Sequence, residues 1–167
     1  MSELNAAERA FRDVWSRFAT GVTVITTVEP DGAVHGMTAN GVTSVSLEPQ
    51  LMLACVGHER NTHGLIRSTG RFGVSILSAG QELVARHFTL PPERRPAAGA
   101  PMFVRVGSSP AVAGAVAAMD CRVVSAYEQG DHTVFIAEVE AHDHNDSEPL
   151  VWYRGQFGRF KPRNSVS

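Results

Sequence analysis

Residues 21–56 read GVTVITTVEPDGAVHGMTANGVTSVSLEPQLMLACV, and the fold turns on this stretch. GVTVITTV is rich in β-branched residues, whose side chains suit a pleated strand. Glu29-Pro30-Asp31-Gly32 is a turn signal, because proline pre-sets the φ of one turn position and glycine accepts a positive φ. AVHGMT is then the return strand of a hairpin. VTSVSL follows as another strand, Glu48-Pro49 breaks it, and LMLACV reads as a buried strand.

Downstream, His58 to Asn61 is a polar loop, Thr62 to Ser68 a short helix ended by Gly70, and RFGVSIL a strand. Ala79 to Phe88 reads as a helix with Leu83, Val84 and His87 on its inner side. Pro91 to Pro101 (PPERRPAAGAP) carries too much Pro, Ala and Gly for a regular element and is expected as a mobile surface loop. AAMDCRVVSAYE and HTVFIAEVEAH are two long strands that Gln129-Gly130-Asp131 joins into a hairpin. LVWYRGQFGRF closes the fold with aromatics. Upstream, Ala6 to Ala19 is a helix whose Phe11, Val14, Trp15 and Phe18 form one apolar stripe, expected to pack on the body. Many short strands and few helices predict a mainly β fold with peripheral helices, an antiparallel barrel that is closed or nearly so. The domain is expected over residues 6–160, with 161–167 a disordered tail. The β/α alternation of a doubly wound sheet is missing.

A chain of 167 residues suits one domain, and 43% hydrophobic against 19% charged residues is enough to fill a core. The formal charge of −2 gives no global pull toward nucleic acid or acidic membranes. Apolar runs fall well short of the roughly 18 residues that span a bilayer, and MSELNAAERAF has no secretory pattern. Cys55 and Cys121 are too few for a disulfide scaffold and read as reduced thiols of a cytoplasmic protein. Lys161 is the only lysine, which leaves no Schiff-base lysine within the folded part.

No Rossmann glycine fingerprint, P-loop, nucleophile elbow, H-E-x-x-H or C-x-x-C is present. Gly36-Met37-Thr38-Ala39-Asn40-Gly41 brackets Thr and Asn between glycines; spacing alone favours an Asn-Gly hairpin turn. Ser44 and Ser46 share one strand face. Arg60-Asn61-Thr62 opens a helix, with Asn61 or Thr62 as N-cap, and a helix N-terminus beside an arginine suits an anion. His142 and His144 share a strand face, but with no third ligand nearby in sequence they read as a solvated strand end.

In series, GVTVITT, GMTANG, TSVSLEPQLMLACV, RNTH, GRFGVSILS and GDHTVFIAEV resemble the flavin reductase-like family with its FMN-binding split β-barrel, over roughly Phe11 to Phe160. The resemblance implies an antiparallel, Greek-key-like barrel and a homodimer that binds FMN or FAD near the subunit interface. It implies an NAD(P)H:flavin oxidoreductase, which takes hydride from NADH or NADPH and passes reduced flavin to a flavin-dependent monooxygenase. By the same resemblance, Met37, Thr38, Ala39, Asn40 and Gly41 meet the isoalloxazine and ribityl region. Ser44, Val45 and Ser46 line the flavin from the next strand, and Cys55, Val56 and Gly57 from the strand beside it. Arg60, Asn61 and Thr62 match the phosphate-binding turn. Phe72 follows a strand start that flanks the flavin, Tyr153 and Phe157 lie in the closing aromatic segment, and His132 is associated with the nicotinamide. Gly41 and Arg60 stand where Ser is frequent in the family. The competing readings are a pyridoxamine-phosphate-oxidase-like enzyme, a non-enzymatic flavin-binding module, and an oxidoreductase with tightly bound flavin acting on another acceptor.

Overall fold

A computed structural model describes residues 5–161. The chain enters through helix α1 (Ala6–Ser16) and the two-residue strand β1 (Thr20–Gly21). The stretch read above forms two hairpins, β2 (Thr23–Val28) with β3 (Val34–Ala39), and β4 (Val42–Leu47) with β5 (Gln50–Gly57). Helix α2 (Asn61–Thr69), strand β6 (Arg71–Ile76) and helix α3 (Glu82–Thr89) follow. A small hairpin of β7 (Phe103–Val106) and β8 (Ser109–Val112), unexpected from the sequence, precedes the long strands β9 (Ala117–Gln129) and β10 (His132–His144). The last hairpin, β11 (Leu150–Tyr153) and β12 (Gln156–Arg159), builds a three-stranded sheet with β1. The tail expected over 161–167 lies, apart from Lys161, outside the described residues.

Seven antiparallel strands form the main sheet in the order β3-β2-β6-β9-β10-β5-β4. Flat, this sheet would hold β3 and β4 about 29 Å apart, six strand spacings of about 4.8 Å. Yet only Asn40 and Gly41 separate Ala39 from Val42, and three Cα–Cα steps cover at most about 11 Å. The sheet therefore rolls until its two edges meet. β3 and β4 do not pair with each other among the described residues, so the barrel is split at this seam. The Asn-Gly dipeptide is thus no hairpin turn: β3 pairs with β2 and β4 with β5, and the dipeptide steps across the seam.

Inside the barrel, Ile25, Phe72, Val74, Val56 and Phe135 form the core, plugged by Ile66 of α2. A second layer outside the sheet joins Val24, Leu77, Phe88, Val112 and Leu150. β2 is covered on both faces, which is why it reads as continuous Val, Ile and Thr rather than as alternation.

Three expectations are corrected. α3 buries Ala85 and Phe88 rather than Leu83, which is 64% exposed; its phase is set by the large Phe88 ring seated over Gly36. α1 is capped by Asn5 and Glu8, which exchange hydrogen bonds, but none of its residues is buried. Its apolar stripe is exposed rather than packed on the body. Residues 91–101 hold a 3-10 turn over Pro92–Arg94, and Arg95 is pinned against β3 by a 2.8 Å hydrogen bond from its Nη2 to the Gly36 carbonyl.

Candidate functional site

β3 is an edge strand, so half of its main-chain groups face away from β2. Glu29 N–H bonds the Ala33 carbonyl, which fixes the phase of the ladder. Two-residue alternation from that pair turns the N–H and C=O of Gly36 and Thr38 outward. Arg95 caps the Gly36 carbonyl. Thr38 keeps its outward main-chain donor and acceptor at the seam, while its hydroxyl donates to the Ala85 carbonyl at 2.6 Å and ties α3 to the strand.

Cavities follow this edge. One of about 100 Å³ is bounded by His35 to Met37, by Glu59 to Thr62 at the start of α2, and by the segment from Phe88 to Arg95. One of about 210 Å³ lies beside Thr38, Ala39 and Asn40 under Trp152 and Phe157, whose rings meet edge to face at 4.8 Å. Across Asn40, a third of about 360 Å³ is walled by Trp15 and Phe18 of the exposed stripe, by Thr20, by Gly41 to Thr43 and by Cys55. Gly41 lies flat on β5: its carbonyl accepts from Cys55 N–H at 2.8 Å, and a Cβ on it would stand 3.3 Å from Cys55 Cβ.

The first cavity brings the start of α2 opposite Arg95. Arg60, not Asn61 or Thr62, is the N-cap of α2, and no side chain caps the helix. The expected Thr62 cap fails because that side chain is buried, 1% exposed, and its Oγ1 has no hydrogen-bond partner. The opening turn is therefore left without the side-chain oxygen that usually satisfies its N–H groups. The Arg60 guanidinium reaches Glu59 Oε1 at 3.1 Å. Burial pushes the His35 imidazole below its usual range, opposed by its hydrogen bond to Glu29.

The other sequence-derived residues are spread more widely. Met37 turns its side chain into the barrel core. Val56 and Phe72 are fully buried there, so neither side chain offers surface to the groove. Burial raises the Cys55 thiol pKa. Gly57 is buried beside Glu59. Ser44 and Ser46 line a separate apolar cavity of about 450 Å³ with Met119 and His142, and Val45 is the residue inserted at a bulge opposite β5. Tyr153 is 46% exposed near the aromatic pair. His132 pairs in register with Gly57, next to the turn that leads to Arg60, and its Nδ1 meets Asp131 Oδ1 at 2.7 Å. Sequence reasoning missed Arg95, Trp152 and Thr20. Thr20, like Thr62, keeps a buried hydroxyl without a partner at its cavity. Nothing in a Pro-rich loop marks one arginine among fourteen.

Residues 15–161 match the family described as flavin reductase like domain. A Rhodococcus sp. protein named NADH-dependent flavin reductase is 41% identical over 151 residues, covering 87% of this chain and 82% of that protein. The reductase component of a 4-nitrophenol 4-monooxygenase/4-nitrocatechol 2-monooxygenase from Rhodococcus opacus is 37% identical over 172 residues, covering 99% and 88%. Among solved structures, a Streptomyces globisporus NADH:FAD oxidoreductase in complex with NAD and FAD fragments superposes with a TM-score of 0.85 at 36% identity, covering 99% of this chain and 100% of that one.

Proposed function

The chain belongs to the flavin reductase-like family, and on that premise we propose that it is an NAD(P)H:flavin oxidoreductase reducing FMN or FAD. The observation that carries the reading is the pairing, along one free strand edge, of ring-sized cavities beside Thr38 to Gly41 with an anion cradle at Arg60 to Thr62. A flavin needs both: an apolar cleft with a few polar groups for its ring, and donors for its phosphate. Thr20 and Thr62, whose buried hydroxyls have no partner, border two of these cavities.

When bound, the flavin supplies the hydride chemistry with the reduced nicotinamide, and no acid–base dyad is asked of the protein. The chain binds and orients. Thr38 N–H and the Asn40 amide serve as donors to the polar edge of the ring, with main chain from Ala39, Gly41 and Cys55 to Gly57. Val56 and Phe72 act only through main chain, since their side chains are sealed. Arg60 and the free N–H groups of Asn61 and Thr62 hold the phosphate. Trp152 and Phe157 exclude water from the ring, Tyr153 flanks them on β11, and His132 orients the nicotinamide. On β4 the wall is Val42 and Thr43, and Ser44, Val45 and Ser46 stand outside it.

A second copy of the chain covers the α1 stripe: Phe11, Val14, Trp15 and Phe18 are all more than half exposed, and an apolar row of this kind marks an association surface. Because Trp15 and Phe18 also wall a ring cavity, the homodimer forms beside the site. A flavin-dependent monooxygenase receives the reduced flavin, as the naming of relatives as reductase components supports. The two free thiols suit the cytoplasm, and no described helix is long and apolar enough to cross a membrane.

The test is steady-state NADH and NADPH oxidation by purified protein with and without FMN or FAD. Flavin-dependent consumption is expected. A protein that holds flavin yet leaves the reduced nicotinamide untouched would be a binding module instead.

A further inference from the structure

We propose that Arg95 is a second phosphate-binding residue of this site and makes it select flavins that carry a 5′-phosphate over riboflavin. The proposal rests on the flavin reductase reading and adds a residue that neither spacing nor motif marks.

Arg95 enters the cradle from a different wall than Arg60. Arg60 belongs to the start of α2, whereas Arg95 comes from the segment after α3. Its guanidinium is fixed before any ligand arrives. Nε donates to the Leu90 carbonyl at 3.0 Å, Nη2 donates to the Gly36 carbonyl at 2.8 Å, and Cζ lies 5.0 Å from the centroid of the Phe88 ring. A guanidinium carries five N–H donors, and these two bonds leave the Nη1 pair and one Nη2 hydrogen unused.

The charge also has no carboxylate in direct contact. Burial lowers the Arg95 pKa, and Glu29 and Glu93 act on it only at long range, since no carboxylate reaches it at ion-pair distance among the described residues. A partly buried cation without a counter-ion keeps its desolvation cost, which an incoming anion offsets. The same cavity presents Arg60 and an uncapped helix start. Donors from two walls suit the several non-bridging oxygens of a phosphate better than they suit a single carbonyl. FMN presents that group as a monoester and FAD as part of a diphosphate; riboflavin lacks it.

The experiment measures kcat/KM for FMN, FAD and riboflavin, at saturating reduced nicotinamide, in wild type, Arg95→Gln and Arg95→Lys. The ratio of FMN or FAD to riboflavin should fall by roughly 10- to 100-fold in Arg95→Gln and recover in part in Arg95→Lys. An unchanged ratio, or an equal loss for all three flavins, overturns the proposal, because a merely structural arginine would not discriminate by phosphate. If Arg95→Gln does not fold, inorganic pyrophosphate is titrated into the wild type. It should compete with FMN and barely affect riboflavin reduction; equal inhibition of both, or none, refutes the site. A wild type that consumes no NADH with any flavin, riboflavin included, removes the functional reading itself, an outcome distinct from a lost preference.

Discussion

The Phe88 ring lies directly against Gly36, so that a Cβ added to the glycine would stand 2.5 Å from Phe88 Cε1. This contact joins α3 to β3 and seats Arg95, which stacks on the same ring and bonds the Gly36 carbonyl. Gly36→Ala should therefore overpack the joint. We expect a loss of about 1–3 kcal/mol in stability, typical of added core volume, with a raised KM for FMN. Urea unfolding and steady-state kinetics check it; an alanine variant as stable as wild type would show that the ring shifts freely.

Glu59 should set the strength of the proposed phosphate cradle. Its carboxylate lies 3.1 Å from Arg60 Nε and borders the cavity that holds Arg60 and Arg95. An incoming phosphate must compete with it. Glu59→Gln should lower the flavin KM about 2- to 5-fold, the size of an exposed ion pair, and the advantage should shrink at high salt. A higher KM would mean that Glu59 supports Arg60 rather than opposing the ligand.

His132 stands opposite Gly57 in register and is tethered to Asp131. His132→Ala should raise the KM for NADH about 2- to 12-fold, the loss of a typical hydrogen bond, while the flavin KM moves little. Initial-rate kinetics with each substrate varied separates the two. A loss confined to flavin would assign His132 to the flavin turn.

Asp120 makes stability depend on acid. Burial alone would raise its pKa, but the Ser109 hydroxyl, Ser108 N–H and Arg71 guanidinium together hold it below the ordinary carboxylate value. A depressed folded pKa contributes stability that is complete above the unfolded value of about 4 and fades as pH falls through the folded value. Asp120→Asn should cost on the order of 3 kcal/mol near neutral pH. Its deficit should narrow below about pH 4, where wild type loses the same contribution. Denaturation midpoints across that range report it, and a constant deficit would exclude the carboxylate as the titrating group.

Val14 is 67% exposed on the α1 stripe and lines none of the cavities described above. Val14→Asp should turn a dimer into monomers in sedimentation velocity. A variant that stays dimeric would move the interface elsewhere.

Much of the fold was legible because its signals are local. The Pro-Asp-Gly turn, the Gly130-Asp131 hairpin and the Gly70 helix stop depend on a few adjacent residues, and each lies where the sequence implies. The β7–β8 hairpin was missed because its four-residue strands carry too little pattern, and much of what holds the hairpin is remote, through Asp120. The face of α3 was misread because an exposed Leu83 and a buried Phe88 both fit an apolar helix side, and only the space left by Gly36 chooses between them.

The sequence by itself determined the strand content, the hairpins, the arginine-led helix start and the kinship, since these follow from backbone preferences and motif order along the chain. Only the tertiary structure decided that Asn40-Gly41 crosses a seam instead of turning a hairpin, because that depends on which strands fill the sheet between β3 and β4. It likewise decided that Arg95, some thirty-five residues after Arg60, shares a cavity with it. Long-range closure brings such groups together, and no local propensity encodes the distance between them.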